Sequence, residues 1–209
     1  MEQTGNRRPS GQKKVVSRAD AVLIMAVAAM AAAATTFMTV AGIVETFTGP
    51  VTLTLPLRLS RESPTGLGLE STARFTAMEA TIPALPSGEA ALLAWASVLY
   101  QVSVLAVAAL LFLLAFRLLR ENLFTPASAG IVGASGVVLA LAGTVAQALD
   151  AAARNRIADL IGANQQTPDG VIFAFSFNLA PLVAGSVLVL VAGVFQFGRR
   201  LQKDTEGLV

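Results

Sequence analysis

The chain has 209 residues, 55% of them hydrophobic and 13% charged, with a mean hydropathy of +0.68 and a net charge of +2. A soluble domain carries about 25% charged residues, so this composition suits lipid rather than water. Cys and His are both absent. That excludes disulfides, thiolate metal sites and cysteine nucleophiles, together with the imidazole that most often serves as general base or metal ligand.

In chain order, residues 1–17 hold Gly, Pro, Ser, Gln and basic side chains with almost nothing to bury, and read as a disordered basic cytoplasmic tail. Residues 18–209 read as one four-helix membrane domain. Its helices are expected at about 21–44, 90–116, 126–161 and 171–200, each built on an apolar run long enough to cross about 30 Å of hydrocarbon. The first run, Ala21 to Val44, outlasts the 7 to 15 residues of a secretory signal core and is expected to stay as an anchor.

The insertion 45–89 changes period. Val51, Leu53, Leu55 and Leu57 alternate with Thr52, Thr54 and Pro56, and Leu69, Ser71, Ala73, Phe75 and Ala77 alternate with Glu70, Thr72, Arg74 and Thr76. Such alternation predicts strands, and Pro64, Gly66 and Gly68 between them predict a turn. The expectation is a small extracytoplasmic β-hairpin. A third strand can form near Thr81 to Leu85, where Pro83 and Pro86 would confine it to an edge.

Thr125 before Pro126 reads as an N-cap followed by a proline at the first helical position, so helices two and three should be an antiparallel hairpin with a short connection. Leu149, Ala153, Ile157, Leu160 and Ile161 recur at helical spacing, which extends helix three as an amphipathic stalk as far as Gly162. The hairpin and the stalk are expected to pack together as a cap.

Phe124-Thr125-Pro126-Ala127-Ser128 and the ending from Val194 to Val209, with Arg199, Arg200 and Lys203, resemble the connector and C-terminus of domain-of-unknown-function family 2975, bacterial four-helix membrane proteins. The resemblance is best from helix two onward. It implies four helices with a sizeable outer loop between the first two, and a regulatory partner, since such proteins are often encoded beside a small helix-turn-helix regulator. It brings no catalytic residues. Glu121, Asn122 and Leu123 depart from the pattern, in which many members carry Gly before the connector.

Lys and Arg number ten on the side of the two tails and the loop between helices two and three, against five on the other side; acidic residues divide five to eight the opposite way. By this asymmetry both termini are cytoplasmic, in a multi-pass protein of the plasma membrane. The basic rim then faces anionic lipid headgroups rather than nucleic acid.

Polar residues within apolar helices are the first place to seek chemistry. Gln101, Gln147 and Asn178 could line an outward-facing pocket for a ligand, or could hydrogen-bond across helices as glue. Gly133, Gly136, Ala140 and Gly143 form a small-residue stripe on helix three, suited to close packing inside the four-helix bundle or to a homo-oligomer seam. No metal or cofactor site is expected. Glu45, Glu79, Glu89 and Asp150 are scattered loop carboxylates that read as solvated charge, and no nucleophile or phosphate-binding motif accompanies them. The expected fold class is therefore an all-α, four-helix membrane bundle with a β-hairpin insertion. The expected function is that of a non-catalytic accessory, sensory or regulatory subunit contacting lipid or membrane-protein partners; the alternative is a small transporter or channel component.

Overall fold

The computed structural model describes residues 18–56, 77–120, 125–162 and 177–206. Four long helices and one two-stranded sheet account for nearly all of them: α1 Arg18–Thr48, β1 Val51–Pro56, β2 Ala77–Ile82, α2 Ser87–Leu119, α3 Pro126–Leu160 and α4 Ala180–Glu206. All four helices are long and apolar enough to cross a membrane. The tail 1–17 lies outside the described residues.

Each helix packs on its neighbour in the chain, α1 on α2, α2 on α3 and α3 on α4, and α1 and α4 are not packed on one another to a comparable degree. The four expected helices are present, and they associate as a series of neighbouring pairs. The reason lies in which faces carry contacts. The short turn between α2 and α3 favours their pairing, α3 turns its glycine face to α4, and α1 lies along α2 with a polar cluster at Gln101 within the interface.

β1 forms where the sequence alternates, but its partner differs from the expected one. Val51 pairs with Ile82, Leu53 with Ala80 and Leu55 with Met78, in an antiparallel ribbon. The second strand therefore occupies 77–82, touching the expected strand 69–77 only at its last residue; 57–76 lie outside the described residues. Alternation alone cannot choose among successive candidate strands. Here β1 follows α1 almost directly and β2 leads almost directly into α2, so packing of α1 on α2 brings the two ends of the insertion together. Pro83, without an N–H, follows the end of β2.

The ribbon is too small to hold itself in water. Its apolar face lies on the helices: Leu53 packs with Leu93, Ala153 and Ile157, joined by Val51, Ile82, Leu85 and Leu92, and Leu55 packs with Ala158, Ala80 and Ile161. Thr52, Thr54, Glu79 and Thr81 face outward. Hairpin and stalk do meet, with the first turns of α2 as a third wall. At about 1.5 Å per residue the 35 residues of α3 span about 52 Å, enough to reach beyond the helix packing to this platform.

α3 begins as its sequence dictates. Thr125 is extended, its side chain accepts from the Ser128 N–H, and Pro126 opens the helix. Arg117, in the last turn of α2, donates to the Thr125 hydroxyl and to Ser128 Oγ at 2.7 Å, which fastens the two helices at their turn. At the other end α3 stops at Leu160, and Gly162 takes a φ of 68°, the left-handed conformation that favours glycine. α4 starts later than expected. Residues 171–176 lie outside the described part, and Phe177, Asn178 and Leu179 are non-helical.

Candidate functional site

Gln101 is a buried amide on α2, and it faces α1. Its Nε2 donates to Thr36 Oγ1 at 2.8 Å and to Thr35 Oγ1 at 3.1 Å, while its Oε1 accepts from Thr39 Oγ1 at 3.1 Å. Thr35 and Thr36 in turn donate to carbonyls of their own helix, Ala31 and Ala32. Both amide protons and one oxygen lone pair are engaged. This leaves little capacity for a ligand.

Gln147 is a buried amide on α3, and it faces the approach to α4. Its Oε1 accepts from the Asn178 backbone N–H at 2.7 Å and its Nε2 donates to the Asn178 carbonyl at 3.0 Å. One side chain thereby satisfies both polar groups of a non-helical peptide, as a neighbouring strand would. The same Nε2 lies 3.2 Å from Gly143 O. The Asn178 side chain turns forward, its Oδ1 accepting at 2.9 Å from Ala180 N, the first N–H of α4. Pro181 follows in the first turn, where a missing N–H costs least. These three features together set the start of α4.

The structure therefore brings Gln147 and Asn178 together through Asn178's backbone, and it sends Gln101 to a different interface. Of the two readings of these amides, pocket or interhelical bonds, the hydrogen bonds seen are those of two seams, α1 with α2 and α3 with α4. Spacing along each helix gave the faces, but not which neighbour each face would meet.

Gly133, Gly136, Ala140 and Gly143 line the α3–α4 seam. A Cβ on Gly136 would stand 2.6 Å from the Gly185 carbonyl oxygen and 2.8 Å from Leu188 Cβ, and one on Gly143 would stand 2.7 Å from Pro181 Cβ. A Cβ on Gly185 would collide with the Gly136 carbonyl and with Ala140 Cβ at 2.7 Å. At Gly133 the approach is looser, 3.3 Å to Ala192 Cβ. Backbones this close gain dispersion contacts that hydrocarbon chains cannot supply. Gly185 and Pro181 are partners that the stripe on α3 could not name in advance. Beside the seam, the Thr144 hydroxyl is buried with no hydrogen-bond partner.

A third polar group ties the platform down. Asp150 and Arg154 form an ion pair one turn apart on α3, Nε to Oδ2 at 2.8 Å, and Arg154 Nη1 reaches the Thr54 carbonyl of β1 at 3.1 Å. The helical spacing of the stalk does not single out Arg154. Its link to a strand 100 residues earlier depends on the register of the hairpin. Among the described residues no cluster of acidic side chains is arranged to hold a metal ion. Glu45 and Glu79 stand exposed.

Compared with known proteins, the chain matches no family model, no curated protein and no solved structure.

Proposed function

We propose that this is a non-catalytic, multi-pass protein of the bacterial plasma membrane that works through protein and lipid contacts as an accessory, sensory or regulatory subunit. The observation that carries the reading is the use of the inner amides. Gln101 and Gln147 hold helices together, and the side chain that projects toward β1, Arg154, serves to dock the hairpin platform. The resemblance of Phe124 to Ser128 and of the C-terminal run to family 2975 belongs to the same proposal.

A membrane frame follows from lengths. Arg18, Arg117, Arg120 and the basic run after Gly198 mark the inner boundary, with both termini cytoplasmic. Counted along α3 from Ser128, Gln147 stands about 28 Å away, close to the 30 Å thickness of a hydrocarbon core. Trp95 and Tyr100, the only Trp and Tyr in the chain, are both exposed near that outer level, where amphipathic rings favour the interface. The platform of hairpin, α2 start and α3 end then stands outside. The lack of Cys makes the frame directly testable. In cells, an impermeant maleimide should label a Thr52→Cys variant directly and a Lys203→Cys variant only after permeabilisation; the reverse pattern overturns the orientation.

One observation favours the alternative, a small transporter or channel component: Phe177 to Leu179, before the start of α4, are non-helical, and the Asn178 backbone is held by Gln147. Non-helical backbone at helix ends accompanies substrate sites in carriers. If Gln147→Leu and Asn178→Leu abolish a flux that the wild-type chain supports in liposomes, the alternative replaces the contact reading. A stoichiometric protein partner recovered from native membranes in mild detergent supports the contact reading.

A further inference from the structure

We propose that the hairpin is a conformational strap: docked on α3 it fixes the outer end of α1, and lifting it from the stalk loosens α1 from α2. The coupling rests on the regulatory reading for its purpose, and on contacts within the fold for its physics.

α1 is the helix most in need of such a tie. Its buried residues are Ala21 and Ala28, two small side chains in the inner half. In the outer half no residue is buried, and the hydrogen bonds to α2 are those of Gln101 with Thr35, Thr36 and Thr39. Thr36 stands about 18 Å along the helix from its end at Thr48. Past Thr48 the chain reaches β1 through Gly49 and Pro50 alone. The Gly49 N–H donates to the Glu45 carbonyl at 2.8 Å, which prolongs the helical turn, and the ring of Pro50 fixes its φ. The joint is short and stiff, so helix end and strand move together.

Packing of helix on helix runs in chain order, and β1 cuts across that order by tying α1 to α3. Leu53 packs with Ala153 and Ile157, Leu55 packs with Ala158, and Arg154 Nη1 donates to the Thr54 carbonyl at 3.1 Å. On the other side of the ribbon, Leu85, between β2 and α2, joins the Leu53 cluster. One docked ribbon thereby holds the outer ends of three helices.

Docked and lifted are discrete states. A two-stranded ribbon is marginal in water, so a hairpin off the stalk loses its ladder together with its docking. The joint after Thr48 then leads into flexible chain, which restrains α1 far less than a strand fixed on α3. Coupling of this kind is reciprocal: a change that weakens the grip of Gln101 on α1 weakens the docking of the hairpin by the same factor.

The test is amide hydrogen exchange of the full chain in detergent, read by mass spectrometry in the hairpin, in α1 around Thr35 to Thr39, and along the α3–α4 seam. Leu55→Ala removes a docking side chain. It should speed exchange in the hairpin, and in α1 around Thr35 to Thr39 by about five- to tenfold, with the seam unchanged. Gln101→Leu should speed exchange of the hairpin in return. If Leu55→Ala also opens the seam, the fold is lost more widely, and Arg154→Ala, which leaves the apolar docking in place, decides on the same readings. A hairpin that opens while α1 keeps its protection overturns the strap, as does a Gln101→Leu variant whose hairpin exchanges at the wild-type rate. A hairpin that stays protected in both Leu55→Ala and Arg154→Ala overturns the docking itself. None of these failures touches the membrane orientation or the recovery of a partner, which the labelling and the native-membrane preparation decide separately.

Discussion

Gln101 is the polar anchor within the α1–α2 interface, because the hydroxyls of Thr35, Thr36 and Thr39 converge on its single amide. Hydrogen bonds between helices in lipid average about 0.6 kcal/mol and reach about 1.7 in measured cases. A Gln101→Leu variant should therefore lose about 1 to 3 kcal/mol of stability over its three bonds, read as a lower unfolding midpoint in detergent, with α1 becoming more open to hydrogen exchange while α3 and α4 keep their protection. Thr144 should respond in the opposite direction. Its hydroxyl is buried without a partner, a state that costs about 1 to 3 kcal/mol, and Thr144→Val removes the polar group at nearly the same volume. A raised midpoint is expected, and a lowered one would mean that the hydroxyl is bonded after all.

At the scale of elements, the α3–α4 seam depends on the absence of side chains at particular points. Gly136→Ala would place a methyl 2.6 Å from a backbone carbonyl, so the helices must move apart, at a typical overpacking cost of about 1 to 3 kcal/mol. Gly193→Ala meets nothing within 4 Å and should be neutral or slightly stabilising through helix propensity. A thermal shift comparison of the two separates packing from propensity in one experiment. The platform makes a matching demand. Ile157 is fully buried between α2 and β1, and Ile157→Ala should cost about 2 to 5 kcal/mol locally. Amides of β1 and β2 should then exchange faster than those of the α3–α4 seam, which tests whether the hairpin is held by the stalk and not by its own ladder.

The whole molecule is a chain of neighbouring helix pairs with a platform at one end, and its two outermost helices keep most of their apolar surface exposed. Val27, Met30, Phe37 and Met38 on α1, and Val187, Leu190, Val194 and Phe197 on α4, stand more than half exposed. In water such surfaces would aggregate, whereas in hydrocarbon they meet a medium as apolar as themselves. The buried contacts explain how the helices cohere. An apolar cluster of Leu110, Val132 and Ala192 joins α2, α3 and α4, two polar clusters and one glycine seam fasten the pairs α1 with α2 and α3 with α4, and the largest fully buried apolar residues, Leu55 and Ile157, sit in the platform. Stability should accordingly be least cooperative at α1, which is joined through one interface only.

Four apolar runs, the Thr125-Pro126 start of α3, its stop before Gly162 and the alternation of β1 are local properties, written in hydropathy, capping chemistry and period. They were legible without coordinates because each depends on residues within a turn or a strand of one another. The partner of β1, the start of α4 and the separation of Gln101 from Gln147 were not. Each depends on which surfaces meet: pairing of α1 with α2 chose strand 77–82, a side chain on α3 fixed the backbone at Asn178, and the three threonines of α1 took up the amide of α2. An amide shows in the sequence that it needs partners, but only the packed molecule shows which ones it has, because satisfaction is a property of distance and not of order along the chain.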